Sequence, residues 1–262
     1  MLKKLMKYEF KATGRVYLPL FAALIILAGV NRLLMFLNLE TPGEIGIVIS
    51  VILIIGIFVL TLILTIQRFR QNLLSNEGHL MMTLPVSTDS LILSKLFVSA
   101  VWTVASTIVV ALAIMIMAAT KDFLEQLVIS IKWIGGQLAI NAPRTVAYSI
   151  EIIVVIAIMV LLWALMLYAC MSLSMLVNKR RGLFTFGAFI LITTAMQIAF
   201  AVVVAVGRAL NISTLLGRIF GGLSSFWLSQ VCVAGVLLIQ LILCVVFYII
   251  TRLMLKYRLN LQ

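Results

Sequence analysis

Six long apolar runs separated by short polar segments occupy most of this chain, and no other feature limits its fold as tightly. They cover residues 16–37, 46–66, 96–119, 152–177, 183–206 and 228–250. Each reaches the roughly 20 residues that a helix needs to cross a hydrocarbon core about 30 Å thick. Lipid offers the backbone no hydrogen-bond partner, so a crossing segment must satisfy its own N–H and C=O groups. The runs are therefore read as helices, and the fold class as all-α integral membrane with six transmembrane helices.

Little remains for anything else. Hydrophobic residues make up 64% of the 262 residues and charged ones 11%, where a soluble domain carries roughly a quarter charged residues. A separate soluble catalytic domain is excluded, and residues 1–262 read as one six-span transmembrane domain.

The net charge of +12 invites a nucleic-acid reading, but its distribution points to the bilayer. Lys3, Lys4, Lys7, Lys11 and Arg15 precede the first run; Arg68, Arg70 and Lys95 lie between the second and third. Lys179, Arg180 and Arg181 lie between the fourth and fifth, and Arg252, Lys256 and Arg258 follow the sixth. Fourteen basic residues thus fall on one side and six on the other, which also holds five of the eight acids. By the positive-inside rule both termini are cytoplasmic, and an even number of spans agrees. The expected location is a cell membrane crossed several times. No cleaved signal peptide is read at the start, because the first apolar run continues past Arg32 without a small-residue cleavage site.

The connecting segments carry the finer expectations. In residues 1–15, Leu2, Leu5, Met6 and Phe10 alternate with lysines near helical period, which predicts a short interfacial helix before the chain turns into the membrane. Pro19 makes a kink plausible in the first span. Residues 38–45, with Pro42 and Gly43, predict a tight external turn. Residues 120–145 place Phe123, Leu124, Leu127, Val128, Ile131 and Ile134 at helical spacing. That predicts an external amphipathic helix on the membrane surface, anchored by Trp133 and ended by Gly135-Gly136.

Residues 67–95 form the longest inner segment. A polar start leads to an apolar cluster at Leu80, Met81, Met82 and Leu84, stopped by Pro85. Ser87 or Thr88 is placed to cap the helix that enters the third span. Met and Leu beside Glu77 on a short exposed helix suit the docking of a cytoplasmic partner; packing on the protein's own inner face is the plainer alternative.

Recognisable chemistry is scarce. His79 stands alone, Cys170, Cys232 and Cys244 fall inside the apolar runs, and no metal-ligand spacing occurs, so neither metal nor cofactor is expected. There is no G-x-x-x-x-G-K-[ST] phosphate loop and no G-x-S-x-G elbow. Arg32 and Glu151 lie near the outer border. Snorkelling to the interface is the favoured reading of this pair; an outer gate or substrate path lined by them is the functional one.

The inner segment resembles the permease subunits of bacterial ATP-binding-cassette exporters of the type-2 class. The likeness rests on Glu77-Gly78, then Leu84-Pro85-Val86-Ser87, then Leu93-Ser94-Lys95, together with the opening Lys7-Tyr8-Glu9-Phe10-Lys11 and the closing stretch 255–261. The resemblance implies six spans, an N-terminal interfacial helix and a short cytoplasmic coupling helix. It also implies two separate ATPase subunits, which would hold the ATP and magnesium, and a second permease half, identical or homologous. The ATPase contact would be made by Glu77, Gly78, Leu80, Met81 and Leu84. On this reading the chain is not itself an enzyme and moves an amphipathic or hydrophobic substrate (a peptide, lipid or drug) out of the cell. The alternatives are an accessory or sensing membrane subunit and a secondary transporter.

Overall fold

The computed structural model describes residues 2–37, 40–74, 88–140, 142–177, 181–209, 211 and 225–259. Among them there is no strand. The helices are α1 (Leu2–Phe36), α2 (Glu40–Leu74), α3 (Thr88–Met117), α4 (Lys121–Ile140), α5 (Ala142–Leu173), α6 (Arg181–Ala209) and α7 (Ser225–Leu259), with one 3-10 turn at Ser174–Leu176 after α5. All but α4 contain a stretch long and apolar enough to cross a bilayer, six in total. The chain is a multi-pass membrane protein. It divides into two compact units, Met1–Val146 and Ala147–Gln262.

Several helices run past the polar segments expected to stop them. Residues 1–15 are not a separate helix followed by a turn: α1 is continuous for 35 residues, about 50 Å at 1.5 Å per residue. That exceeds the hydrocarbon thickness by some 20 Å, enough to hold the lysine-rich end clear of the core. Pro19 lies inside α1 and deprives the Arg15 carbonyl of its usual donor, yet the helix is not interrupted there. The expected external turn at 38–45 shrinks, because α2 already begins at Glu40. Pro42 falls in its first turn, where a backbone N–H would have no helical acceptor, so the ring costs nothing there. Gly135-Gly136 do not end α4, which continues to Ile140. A terminating glycine adopts positive φ, and no described glycine does. Asn211 (φ 47°) is the one described non-glycine residue in the left-handed region, a conformation asparagine tolerates; its N–H donates to the Arg208 carbonyl at 3.1 Å, closing the end of α6.

The first unit is organised around α1, which packs most extensively on α3 and next on α2. Its buried stripe of Thr13, Tyr17, Phe21, Leu24, Ala28 and Asn31 follows the three-and-four spacing of one helix face. Facing it, α2 buries Gly46, Ser50, Ile57, Thr61, Thr65 and Phe69. Hydroxyls inside this packing bond back to their own helix, Ser50 to the Gly46 carbonyl at 2.8 Å and Thr65 to the Thr61 carbonyl at 2.8 Å. Such local bonds leave no unsatisfied donor in a medium without water. Hydroxyl contacts also cross between helices, Thr61 to Ser106 at 3.2 Å and Tyr17 to Thr61. Helix α4 presents Leu124, Val128, Ile129, Ile131, Trp133 and Ile134 exposed.

In the second unit, every residue from 164 to 172 on α5 is buried. Tyr148 and Ser229 join α5 to α7 through a 2.8 Å hydroxyl pair, and Trp163 meets Phe189 of α6 edge-on at 5.8 Å. The span of α6 buries none of its apolar residues. In water such a helix would be an aggregation site; in a bilayer its surface is covered by acyl chains.

The orientation has a direct test. Single cysteines at Glu44, Gln126 and Asn211, all exposed, are expected to react with an impermeant thiol reagent on intact cells once the native cysteines are removed. A cysteine at Asn76 is expected to stay silent. The opposite labelling pattern would invert the orientation.

Candidate functional site

The feature of the first unit that membrane packing alone does not explain is a cluster of three charges where α1, α2 and α3 come together. Glu9 on α1 accepts a hydrogen bond from Lys95 Nζ at 2.6 Å through Oε1. Its Oε2 lies 3.8 Å from Arg68 Nη1 of α2. The Lys95 side chain is 3% exposed and that of Glu9 12%, whereas Arg68 keeps 31%. An ammonium so far removed from water is tolerated only with a counter-charge in contact. Glu9 supplies it, and the Lys95–Glu9 bond is the strong member of the cluster. Arg68, longer in reach and better solvated, adds a weaker attraction.

Local sequence places each partner. Glu9 stands one helical turn before Thr13 and two before Tyr17, on the buried face of α1. The Thr13 hydroxyl bonds back to the Glu9 carbonyl at 2.7 Å. Arg68 adjoins fully buried Phe69, and Lys95 is flanked by buried Leu91, Ile92 and Leu96. Directly beyond lies an aromatic group: Trp102 of α3 stacks on Tyr17 at 4.5 Å with 7° between ring planes, and Phe10 and Phe21 approach its ring at 6.2 and 6.1 Å. Stacked and tilted rings at these separations hold α1 and α3 in register.

The position of the cluster in the chain is its main interest. Arg68 lies on the helix that leads into the segment 75–87, and Lys95 on the helix that leads out of it. One carboxylate therefore ties the two sides of that segment to each other and to the N-terminal helix.

The expected ATPase-contact residues Glu77, Gly78, Leu80, Met81 and Leu84 lie outside the described residues. Arg32 is half-buried on α1 in the first unit, and Glu151 half-buried on α5 in the second. Among the described residues, neither the Oε2 of Glu151 nor the Nε2 of Gln230 on α7, both shut off from solvent, has a hydrogen-bond partner. Among the described residues no three His, Cys, Asp or Glu side chains gather to hold a metal ion. Sequence reading passed over the Glu9 cluster, although two signals pointed to it. Glu9 is the one acid among the five basic residues of 1–15, and Lys95 sits inside the apolar start of a span, where a cation needs a partner.

In comparisons with known proteins, no family model, no curated protein and no solved structure matches the chain.

Proposed function

We propose that this chain is the membrane-spanning half of an exporter driven by a separate ATPase, with the segment 75–87 as the docking element. The observation that carries the reading is the Glu9 carboxylate held between Arg68 and Lys95. A docking loop transmits force only if the helices at its two ends move together with the rest of the bundle, and this cluster joins them. The wording of the loop supports the same reading, as does the absence of a phosphate loop, since nothing in the sequence would bind ATP by that route. ATP and magnesium then belong to the partner subunits. The apolar surface left on α6 and α7 is available to lipid and to a second copy or homologue of the chain. Export of an amphipathic or hydrophobic substrate is what the resemblance of the loop implies, and it suits spans of such high mean hydropathy.

The test begins with purification of the tagged chain in mild detergent and identification of every co-purifying polypeptide. An ATPase is expected in the complex, and ATP turnover is expected from the complex but not from the isolated chain. The double change Leu80→Asp, Met81→Asp is expected to release the ATPase while leaving the six spans inserted. Each side chain, if covered on docking, contributes about 1.5–3 kcal/mol of apolar burial. An intact complex with unchanged turnover would return the loop to the plain packing reading.

Glu151 favours one other reading, ion-coupled transport without an ATPase, because an acidic side chain within a span is costly and tends to mark an ion path. Substrate uptake into vesicles driven by a proton gradient in the absence of ATP would support it against the exporter.

A further inference from the structure

Beside the Glu9 cluster, one face of α1 and the Trp102 ring of α3 border an open, shallow groove of about 590 Å³. Its lining combines Phe10, Lys11, Arg15, Leu18 and Pro19 of α1 with Trp102 of α3. Gly14 lies under the Trp102 ring: a Cβ there would stand 3.4 Å from it, in ordinary van der Waals contact. Lys11 and Arg15 occur one turn apart and are both exposed. Neither takes part in an ion pair among the described residues, because the available carboxylate, Glu9, is engaged by Lys95 and Arg68. The nine residues from Lys11 to Pro19 span about 12 Å along the helix. The groove is thus cationic at the end nearer the N-terminus and apolar at the end that enters the span.

We propose that this groove binds one anionic phospholipid, its phosphate between Lys11 and Arg15 and the start of an acyl chain along Leu18, Pro19 and the Trp102 ring. The inference is independent of the transport reading and rests only on membrane insertion. Order along the helix decides the occupant. Two unbalanced cations precede the first apolar run, and the apolar wall follows one to two turns further along α1, the order in which headgroup and acyl chain succeed each other in a lipid. A soluble anion would use the cations and leave the apolar half unfilled. A neutral lipid would fill the apolar half and leave both charges without a partner. Arginine adds a planar fork that matches two phosphate oxygens.

Trp102 reports on the site. In the full chain carrying Trp133→Phe, Trp163→Phe and Trp227→Phe, it is the remaining tryptophan. Reconstitution into phosphatidylcholine vesicles with a small fraction of chain-brominated phosphatidylglycerol is expected to quench its emission far more than the same fraction of brominated phosphatidylcholine. The expected enrichment of the anionic lipid at the groove is about thirtyfold, from two cations acting together. Lys11→Gln with Arg15→Gln is expected to abolish the excess, while Lys7→Gln, an exposed cation on the same helix outside the groove, retains most of it. Equal quenching by the two brominated lipids in the unaltered groove would overturn the proposal. So would full relief of the quenching by inorganic phosphate, which would identify a soluble anion as the occupant. Loss of the excess in Lys7→Gln to the same degree as in the double variant would reduce the effect to general surface charge and overturn it as well.

Discussion

Glu9→Ala is expected to be among the most destabilising single changes in the first unit. It leaves the Lys95 ammonium, 3% exposed, without its counter-charge. Removing one partner of a buried ion pair costs about 3–5 kcal/mol; lysine can recover part of this by straightening its stem toward the headgroups. The decisive comparison is with the double variant Glu9→Ala, Lys95→Met. An apolar side chain of similar length removes the orphaned charge, so the double variant is expected to regain most of the loss. Arg68→Gln, at a 3.8 Å contact with a side chain 31% exposed, is expected to cost less than about 1 kcal/mol. Unfolding of the purified chain in detergent, followed by tryptophan emission, reads all three. Should the double variant be no more stable than Glu9→Ala, the cluster is not a buried charge pair, and its role in tying the inner loop to α1 falls with it.

A second large effect is expected where α1 and α2 approach most closely. A Cβ at Gly46 would lie 2.6 Å from Asn31 Oδ1 and 2.9 Å from its Cγ. Asn31 is 1% exposed and its short side chain has nowhere to retreat. Close helix contact in lipid is bought with small residues, since apolar burial does not favour one helix neighbour over acyl chains. Gly46→Ala should therefore force the helices apart, at the cost of about 1–3 kcal/mol typical of overpacking. Asn31→Ala in the same chain relieves the collision, so the two changes together should cost less than their sum. Strict additivity in the same unfolding measurement would show that the contact is not tight.

How far the sequence reached differs from element to element. The interfacial helix read into residues 1–15 was a correct sense of amphipathic period with the wrong continuation. Nothing at Gly14 to Pro19 interrupts hydrogen bonding strongly enough to turn the chain, and the apolar face that suggested a bilayer surface includes Phe10, which meets Trp102. The turn at 38–45 was inferred from Pro42 and Gly43, residues whose meaning depends on where the helix begins. In a first turn neither is a breaker. Glu9, Arg68 and Lys95 are 59 and 27 residues apart in sequence, and only packing reveals that they share one carboxylate.

The number and placement of the six membrane-crossing helices were determined by sequence alone. A bilayer imposes one length and one hydrogen-bonding solution on any apolar run, so composition over some 20 residues is enough to decide. The amphipathic period of α4 was legible for a similar reason, since a helix with one apolar face repeats it in its residues. Which helices pair, and through which residues, was decided by tertiary structure. In lipid an apolar helix face carries no preference for protein over acyl chain. Partner choice therefore passes to a few local features that no periodicity announces: the missing side chain at Gly46, the Trp102–Tyr17 stack, and a lysine that enters the packing only because Glu9 meets it there.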